Sequence, residues 1–267
     1  MSMQPRFGLN HMVCPSFTVS EFLDLSGKLK AQTVEFRNDV GDNSLTDLDT
    51  ALKAGQQAKE LGIRVLSINA LYPFNVWNEE REAQTRELAK LAQAANAEGL
   101  VCCPLNDGTV VSYEDLKYAL TELAKVLKEF DLHGFIEPLG FPISSLRSKR
   151  LALQAIDEIG ESERFSLVHD TFHHKGAGED EFFPERTGLV HISGLEDDIT
   201  FEDMLDGDRV LVGEKDRLSN VEQLRTLLDA GFDGPVSFEP FSEKVWNLQD
   251  IEGAVQDSIQ YVNKALA

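Results

Sequence analysis

Leu167-Val168-His169-Asp170-Thr171-Phe172-His173-His174 starts as an apolar run and ends in an acid followed by histidines. That is the pattern of a buried strand that delivers polar side chains to one rim of a sheet. A carboxylate and an imidazole three residues apart, Asp170 and His173, can bind a divalent metal or grip a polar substrate. Three other short runs also end in a ligand type: Gly134-Phe135-Ile136-Glu137, Gly188-Leu189-Val190-His191 and Val236-Ser237-Phe238-Glu239. Strand ends that supply Glu, Asp, His and Glu predict a metal site.

Reading outward, strands are expected over 7–10, 33–37, 64–69, 100–103, 134–137, the quoted stretch, 188–192 and 235–239. Most are separated by helical stretches. Thr18-x-x-Glu21 has the form of a capping box, and Ser112-x-x-Asp115 opens a second helix. Gly62, Gly99, Gly160 and Gly231 are placed to close helices. The link from 175 to 186 is acidic and offers at most a short helix.

Alternating strand and helix implies a parallel sheet with right-handed crossovers. Eight such units predict a single (β/α)₈ TIM barrel, with one catalytic domain spanning 1–267. An open doubly wound sheet is the competitor. No Gly-x-Gly-x-x-Gly follows the first strand, which counts against its dinucleotide-binding form.

In a parallel barrel every strand's C-terminal end opens on the face that carries active sites. The expected ends are Asn10, Arg37, Asn69, Cys103, Glu137, Asp170, His191 and Glu239. Glu137, Asp170, His191 and Glu239 come from consecutive strands. Any one alone reads as a hydrogen-bonded rim residue, but four together would be costly buried polar groups unless a cation or proton chemistry holds them. Three oxygens and one nitrogen suit Mn²⁺, Co²⁺, Mg²⁺ or Zn²⁺. His169 should face the helices, whereas His173 can lean over the mouth. Arg37, Asn69 and Trp77 are further candidates for substrate contact. Phe74, Phe141 and Phe172 could wall a pocket or simply pack loops. Arg147, Lys149 and Arg150 form a basic cluster that a phosphorylated substrate would need.

The bulk composition is compatible with this. The 267 residues are 42% hydrophobic, with no apolar run of membrane-span length. The start, Met1-Ser2-Met3-Gln4-Pro5-Arg6, lacks the apolar region of a signal peptide, so a cytoplasmic location is expected. The net charge of −21 opposes nucleic acid and anionic membranes but tolerates a small neutral polyol. The three cysteines, Cys14, Cys102 and Cys103, have no metal-knuckle or disulfide spacing.

These stretches, with Val34-Glu35-Phe36-Arg37, Ser67-Ile68-Asn69-Ala70-Leu71, Phe74-Asn75, Ile136-Glu137-Pro138-Leu139-Gly140 and Asp208-Arg209-Val210, resemble the xylose-isomerase-like TIM-barrel family of sugar isomerases and epimerases. Within it the chain looks most like the 2-keto-myo-inositol (inosose) isomerases of inositol catabolism. The resemblance implies one divalent metal, with Mn²⁺ favoured, held by Glu137, Asp170, His191 and Glu239. It implies that Glu137 and Glu239 also carry protons through an enediolate, and that His173 and Arg209 contact the substrate. Relatives often have a Pro-Gly-x-Gly turn where this chain reads Val212-Gly213-Glu214-Lys215. Ketose 3-epimerase, hydroxypyruvate-type isomerase and 3-dehydroshikimate-type dehydratase are alternatives on the same fold. A metal- or sugar-binding protein without catalysis is the alternative of another class, and a homo-oligomer is allowed.

Overall fold

The computed structural model describes residues 5–267; the polar start at Met1–Gln4 lies outside the described residues. The strands are β1 (Arg6–Asn10), β2 (Thr33–Arg37), β3 (Arg64–Leu71), β4 (Gly99–Cys102), β5 (His133–Ile136), β6 (Phe165–Asp170), β7 (Thr187–Ile192) and β8 (Pro235–Phe238). They form a closed barrel in sequence order, every pair parallel. Pairing of β1 with β8, from Arg6↔Pro235 to Leu9↔Phe238, closes the wall and removes the open-sheet alternative.

The intervening helices are α1 (Val19–Lys28), α2 (Leu48–Leu61), α3 (Glu79–Ala94), α4 (Tyr113–Phe130), α5 (Lys149–Glu158), α6 (Thr171–Ala177) and α7 (Asn220–Asp229); α8 (Glu243–Trp246) and α9 (Ile251–Leu266) follow β8. Their ends follow local chemistry. Thr18 and Glu21 form the expected reciprocal cap, and Ser112 caps α4 by accepting from Asp115 N–H. Gly62 ends α2 with φ of 72°, where a side chain would be strained.

Two elements depart from the sequence reading. Helix α3 stops at Ala94, and the left-handed residue near its end is Asn96, at φ 53°. Gly99 is instead the first residue of β4, where a Cβ would lie 2.2 Å from the His133 carbonyl oxygen. After β6 the chain enters a helix at once. Asp170 is its N-cap: Oδ1 accepts from Phe172 N–H at 2.7 Å and His173 N–H at 3.0 Å. Asp is among the best residues for this position, so the acid that ends the strand also starts the helix.

Alternation along each strand divides the core in two. Val34, Phe36 and Leu167 join the main cluster between strands and helices. Leu66, Val101, Phe135, Val168 and Leu189 make a separate apolar cluster. His169 faces the helices as expected, with its ring nitrogens on Gln223 Oε1 at 2.9 Å and Lys149 Nζ at 3.1 Å. Among the described residues, no helix is long and apolar enough to cross a membrane.

Candidate metal centre and active site

Glu137, one residue past β5, Asp170 and His191 at the ends of β6 and β7, and Glu239, one residue past β8, converge at one rim of the barrel. Each presents one ligand atom, and these four atoms lie within 4.8 Å of one another. All four residues are buried. The imidazole organises the group. Its Nδ1 lies 2.9 Å from Glu137 Oε1, 3.2 Å from Glu239 Oε2 and 3.9 Å from Asp170 Oδ2. Three carboxylates around one imidazole nitrogen is a donor set that fits a borderline or hard divalent cation.

Two arginines complete the constellation. Arg209 Nη2 donates to Asp170 Oδ2 at 2.6 Å and Glu239 Oε2 at 3.0 Å. Its Nε donates to Ser193 Oγ, and Nη1 to Asp206 Oδ1. Arg37 donates from Nη1 to Glu239 Oε1 at 2.9 Å and forms a two-pronged pair with Asp39. The Phe241 ring packs against both guanidiniums, 5.3 Å from Arg37 Cζ and 4.6 Å from Arg209 Cζ. Asn10 Nδ2 also donates to Glu239 Oε1, at 3.0 Å.

These charges shift one another. Burial alone would raise the Glu239 carboxyl, but His191, Arg209 and Arg37 outweigh it and hold the acid well below its usual range. Burial alone would lower His191; the carboxylates of Glu239, Glu35 and Glu137 reverse this and hold its pKa well above 6.5. Burial and the Glu137 carboxylate push the Cys103 thiol up, and its Sγ lies 3.2 Å from Glu137 Oε2.

A cavity of about 240 Å³ opens above the cluster. Glu137, Glu239, Arg37, Arg209 and His173 line it, with Tyr72 and Phe141 among its apolar surfaces. Among the described residues, His173 Nδ1 is buried without a hydrogen-bond partner. Asn69 sits lower, donating from Nδ2 to Glu35 Oε2 at 2.8 Å, with its own Oδ1 unpartnered among the described residues.

Trp77 does not reach this cavity. It packs against the main core and lines a separate hollow with Asn75, Leu105 and Tyr118. The cause is local: Asn75 donates to Ser145 Oγ and accepts from Leu105 N–H, pinning the loop after β3. That loop instead gives Tyr72 to the mouth, while Phe74 is fully buried. The basic cluster is also absent from the mouth. Arg147 donates to the Gly140 and Gly176 carbonyls, Lys149 is buried against His169 and His174, and Arg150 pairs with Glu181.

Glu35 was missed as a functional candidate. Alternation that turns Val34 and Phe36 toward the helices turns Glu35 inward with Arg37, so the signal was present in β2.

The family model described as "Xylose isomerase-like TIM barrel" matches residues 23–265. A xylose isomerase domain-containing protein of Salmonella typhimurium LT2 superposes with a TM-score of 0.91 at 34% identity, over 100% of this chain and 98% of that one. An IolI protein solved with a zinc atom gives 0.78 at 21% identity, covering 97% of this chain and 96% of that one. A D-psicose 3-epimerase of Clostridium cellulolyticum H10, solved with D-tagatose, gives 0.76 at 14% identity, covering 98% and 99%. At those lower identities the likeness is one of fold. No curated protein sequence matches the chain.

Proposed function

Since the chain belongs to the xylose isomerase-like TIM barrel family, we propose that it is a divalent-metal-dependent isomerase of a small polyol ketone, with 2-keto-myo-inositol the favoured substrate. The observation that carries this reading is the His191 Nδ1 contact shared by Glu137 and Glu239, with a cavity directly above the two acids. Glu137, Asp170, His191 and Glu239 would hold the ion, for which Mn²⁺, Co²⁺, Mg²⁺ and Zn²⁺ all suit the donor set. What the cation supplies, when bound, is charge to polarise the ketone and to stabilise the anion left as the neighbouring C–H ionises.

The chain's own residues move the proton. Glu239 is held ionised by Arg37, Arg209 and His191, so it enters the cycle as an acceptor. Glu137, one residue past β5, faces a thiol and an imidazole rather than a guanidinium; it would take a proton from solvent and deliver it to the anion, while Glu239 releases the proton it took back to solvent. Isomerase and epimerase differ only in where that proton lands. Arg209 and His173 would orient the polyol hydroxyls. A cavity of about 240 Å³ lies below the range of drug-sized sites and suits a small metabolite.

The test is proton exchange in D₂O with the metal-loaded protein and a panel of inososes, ketoses and dehydroshikimate. Deuterium should enter the carbon beside the carbonyl. Glu137→Gln and Glu239→Gln should each slow turnover by about 10²–10⁴-fold with metal retained. Wild-type rates in both loaded variants would overturn the two-acid scheme. Absence of exchange with every ketone would favour a binding protein.

A further inference from the structure

Barrel interiors are filled mainly with branched apolar side chains. Glu35 breaks that pattern. Its side chain on β2 is fully buried, and both carboxylate oxygens face one atom, His191 Nε2, at 3.1 and 3.2 Å. The contact spans the barrel interior, since β2 and β7 are not neighbours in the wall. Ser67 Oγ and Asn69 Nδ2 each donate to Glu35 Oε2 at 2.8 Å, and Asn69 Nδ2 also donates to Ser67 Oγ at 3.1 Å. The carboxylate is thus fixed from β3 while it faces β7.

The fold gives the two imidazole nitrogens different surroundings. Nε2 meets Glu35 alone among the carboxylates, whereas Nδ1 meets Glu137, Glu239 and Asp170. An acceptor behind Nε2 requires a hydrogen there. In a neutral ring this leaves the Nδ1 lone pair for a cation. Glu35 itself does not line the substrate cavity.

We propose that Glu35 is a positioning residue of the metal centre. It fixes His191 as the Nε2–H tautomer, sets the ring orientation and makes Nδ1 the ligating atom. A carboxylate behind a ligating histidine also raises its basicity, and loss of such a partner costs about 10–100-fold in metal affinity. The inference rests on the metal-dependent reading above.

The experiment uses the full chain, stripped with a chelator and titrated with ¹¹³Cd²⁺ by chelator competition, in wild type, Glu35→Gln and Glu35→Met. Three quantities are read: the Cd²⁺ dissociation constant, the melting temperature of the metal-free protein, and the ¹⁵N spectrum of His191. Wild type should bind one Cd²⁺, with ¹¹³Cd coupling at Nδ1 and a proton on Nε2. Glu35→Gln keeps an acceptor oxygen, so it should retain that tautomer while affinity falls about tenfold to a hundredfold. Glu35→Met should bind at least as weakly as Glu35→Gln and lose the fixed tautomer. Wild-type affinity in both variants, or coupling at Nε2 in wild type, overturns the proposal but leaves the metal centre standing. Affinity loss matched by collapse of the metal-free melting temperature reduces Glu35 to a packing role. Absence of stoichiometric binding in wild type would sink the metal-dependent reading itself, and this inference with it.

Discussion

Arg209 Nη2 donates to Asp170 Oδ2 at 2.6 Å, so a guanidinium shares a carboxylate with the candidate metal cluster. Arg209 is fully buried, and three acids, Asp170, Glu239 and Asp206, hold it. Its charge therefore stands beside the position a divalent cation would take. Two consequences pull in opposite directions. Removing the guanidinium would withdraw a like charge from a bound ion, but it also removes a donor from the cavity above the cluster.

For Arg209→Met, metal affinity should be unchanged or tighter. The value of kcat/KM for the ketone should fall about tenfold to a hundredfold, the worth of one charge-assisted hydrogen bond. Parallel metal titration and steady-state kinetics check this. Loss of metal in the variant would show that Arg209 orients Asp170 rather than substrate.

Metal content gives the second expectation. The purified chain should carry about one divalent ion, and Asp170→Ala or His191→Ala should lose it. Ions that bind only the folded state raise the melting temperature, by about 2.7 kcal/mol of stability at a hundredfold excess over Kd. Stoichiometric metal in both variants would contradict the four-residue site.

His191 gives that binding a pH dependence. Its folded pKa lies well above 6.5, because the surrounding carboxylates outweigh its burial. In the metal-free protein this stabilisation is fully present below pH 6.5 and is lost as pH rises through the folded pKa. A cation must displace the proton, so affinity should rise with pH across that window, by up to about tenfold per pH unit. Calorimetric titrations at pH 6.5, 7.5 and 8.5 measure the slope. A flat profile would mean that the imidazole is already neutral.

The barrel and the cluster of four polar residues on its rim were legible in sequence because both depend on local pattern. Short apolar runs ending in polar residues mark strands, and their matched ends place Glu137, Asp170, His191 and Glu239 on one face. Other features depend on where loops go. Trp77 and Tyr72 share the loop after β3, and only the tertiary bonds of Asn75 decide which reaches the mouth. Glu35 was hidden differently. An acid between Val34 and Phe36 has the pattern of a strand with one solvated face, but both faces of this barrel strand are buried.

His11 should make the protein acid-labile. Its Nε2–H donates to the Phe17 carbonyl at 2.8 Å, the ring stacks on Phe22, and Nδ1 has no partner among the described residues. Burial lowers its pKa to about 4, against the Phe17 hydrogen bond and with help from Arg37. The unfolded chain therefore binds the proton first, and stability should fall as pH drops from 6.5 toward 4. The loss is on the order of 3 kcal/mol at most for this group. Denaturant unfolding at pH 7 and pH 5 should show the fall, and His11→Gln should lessen it, leaving the share of His133, His169 and His174, which burial also holds below their usual range. Equal slopes in the two proteins would assign the acid sensitivity elsewhere.

The last expectation concerns substrate charge, and it turns on Arg147. A phosphate would need a cation with free donors near the mouth. Arg147 is committed elsewhere, to the Gly140 carbonyl at 2.9 Å and the Gly176 carbonyl at 2.7 Å. Lys149 Nζ is enclosed by His169 and His174, and Arg150 pairs with Glu181. Within the mouth, Arg37 and Arg209 are each paired with two or more carboxylates, so their charge is compensated, although Arg209 keeps one Nη1 hydrogen for a neutral hydroxyl. Neutral ketones should therefore be turned over better than their phosphates. Arg147→Ala removes the clasp between the loop after β5 and the C-terminal turn of α6, so stability should drop by about 1–3 kcal/mol. The KM for a neutral ketone should move only a few-fold. Steady-state kinetics on matched pairs of ketose and ketose phosphate decide the point: a phosphate with much higher kcat/KM, lost in Arg147→Ala, would show that Arg147 leaves its carbonyls to bind the substrate.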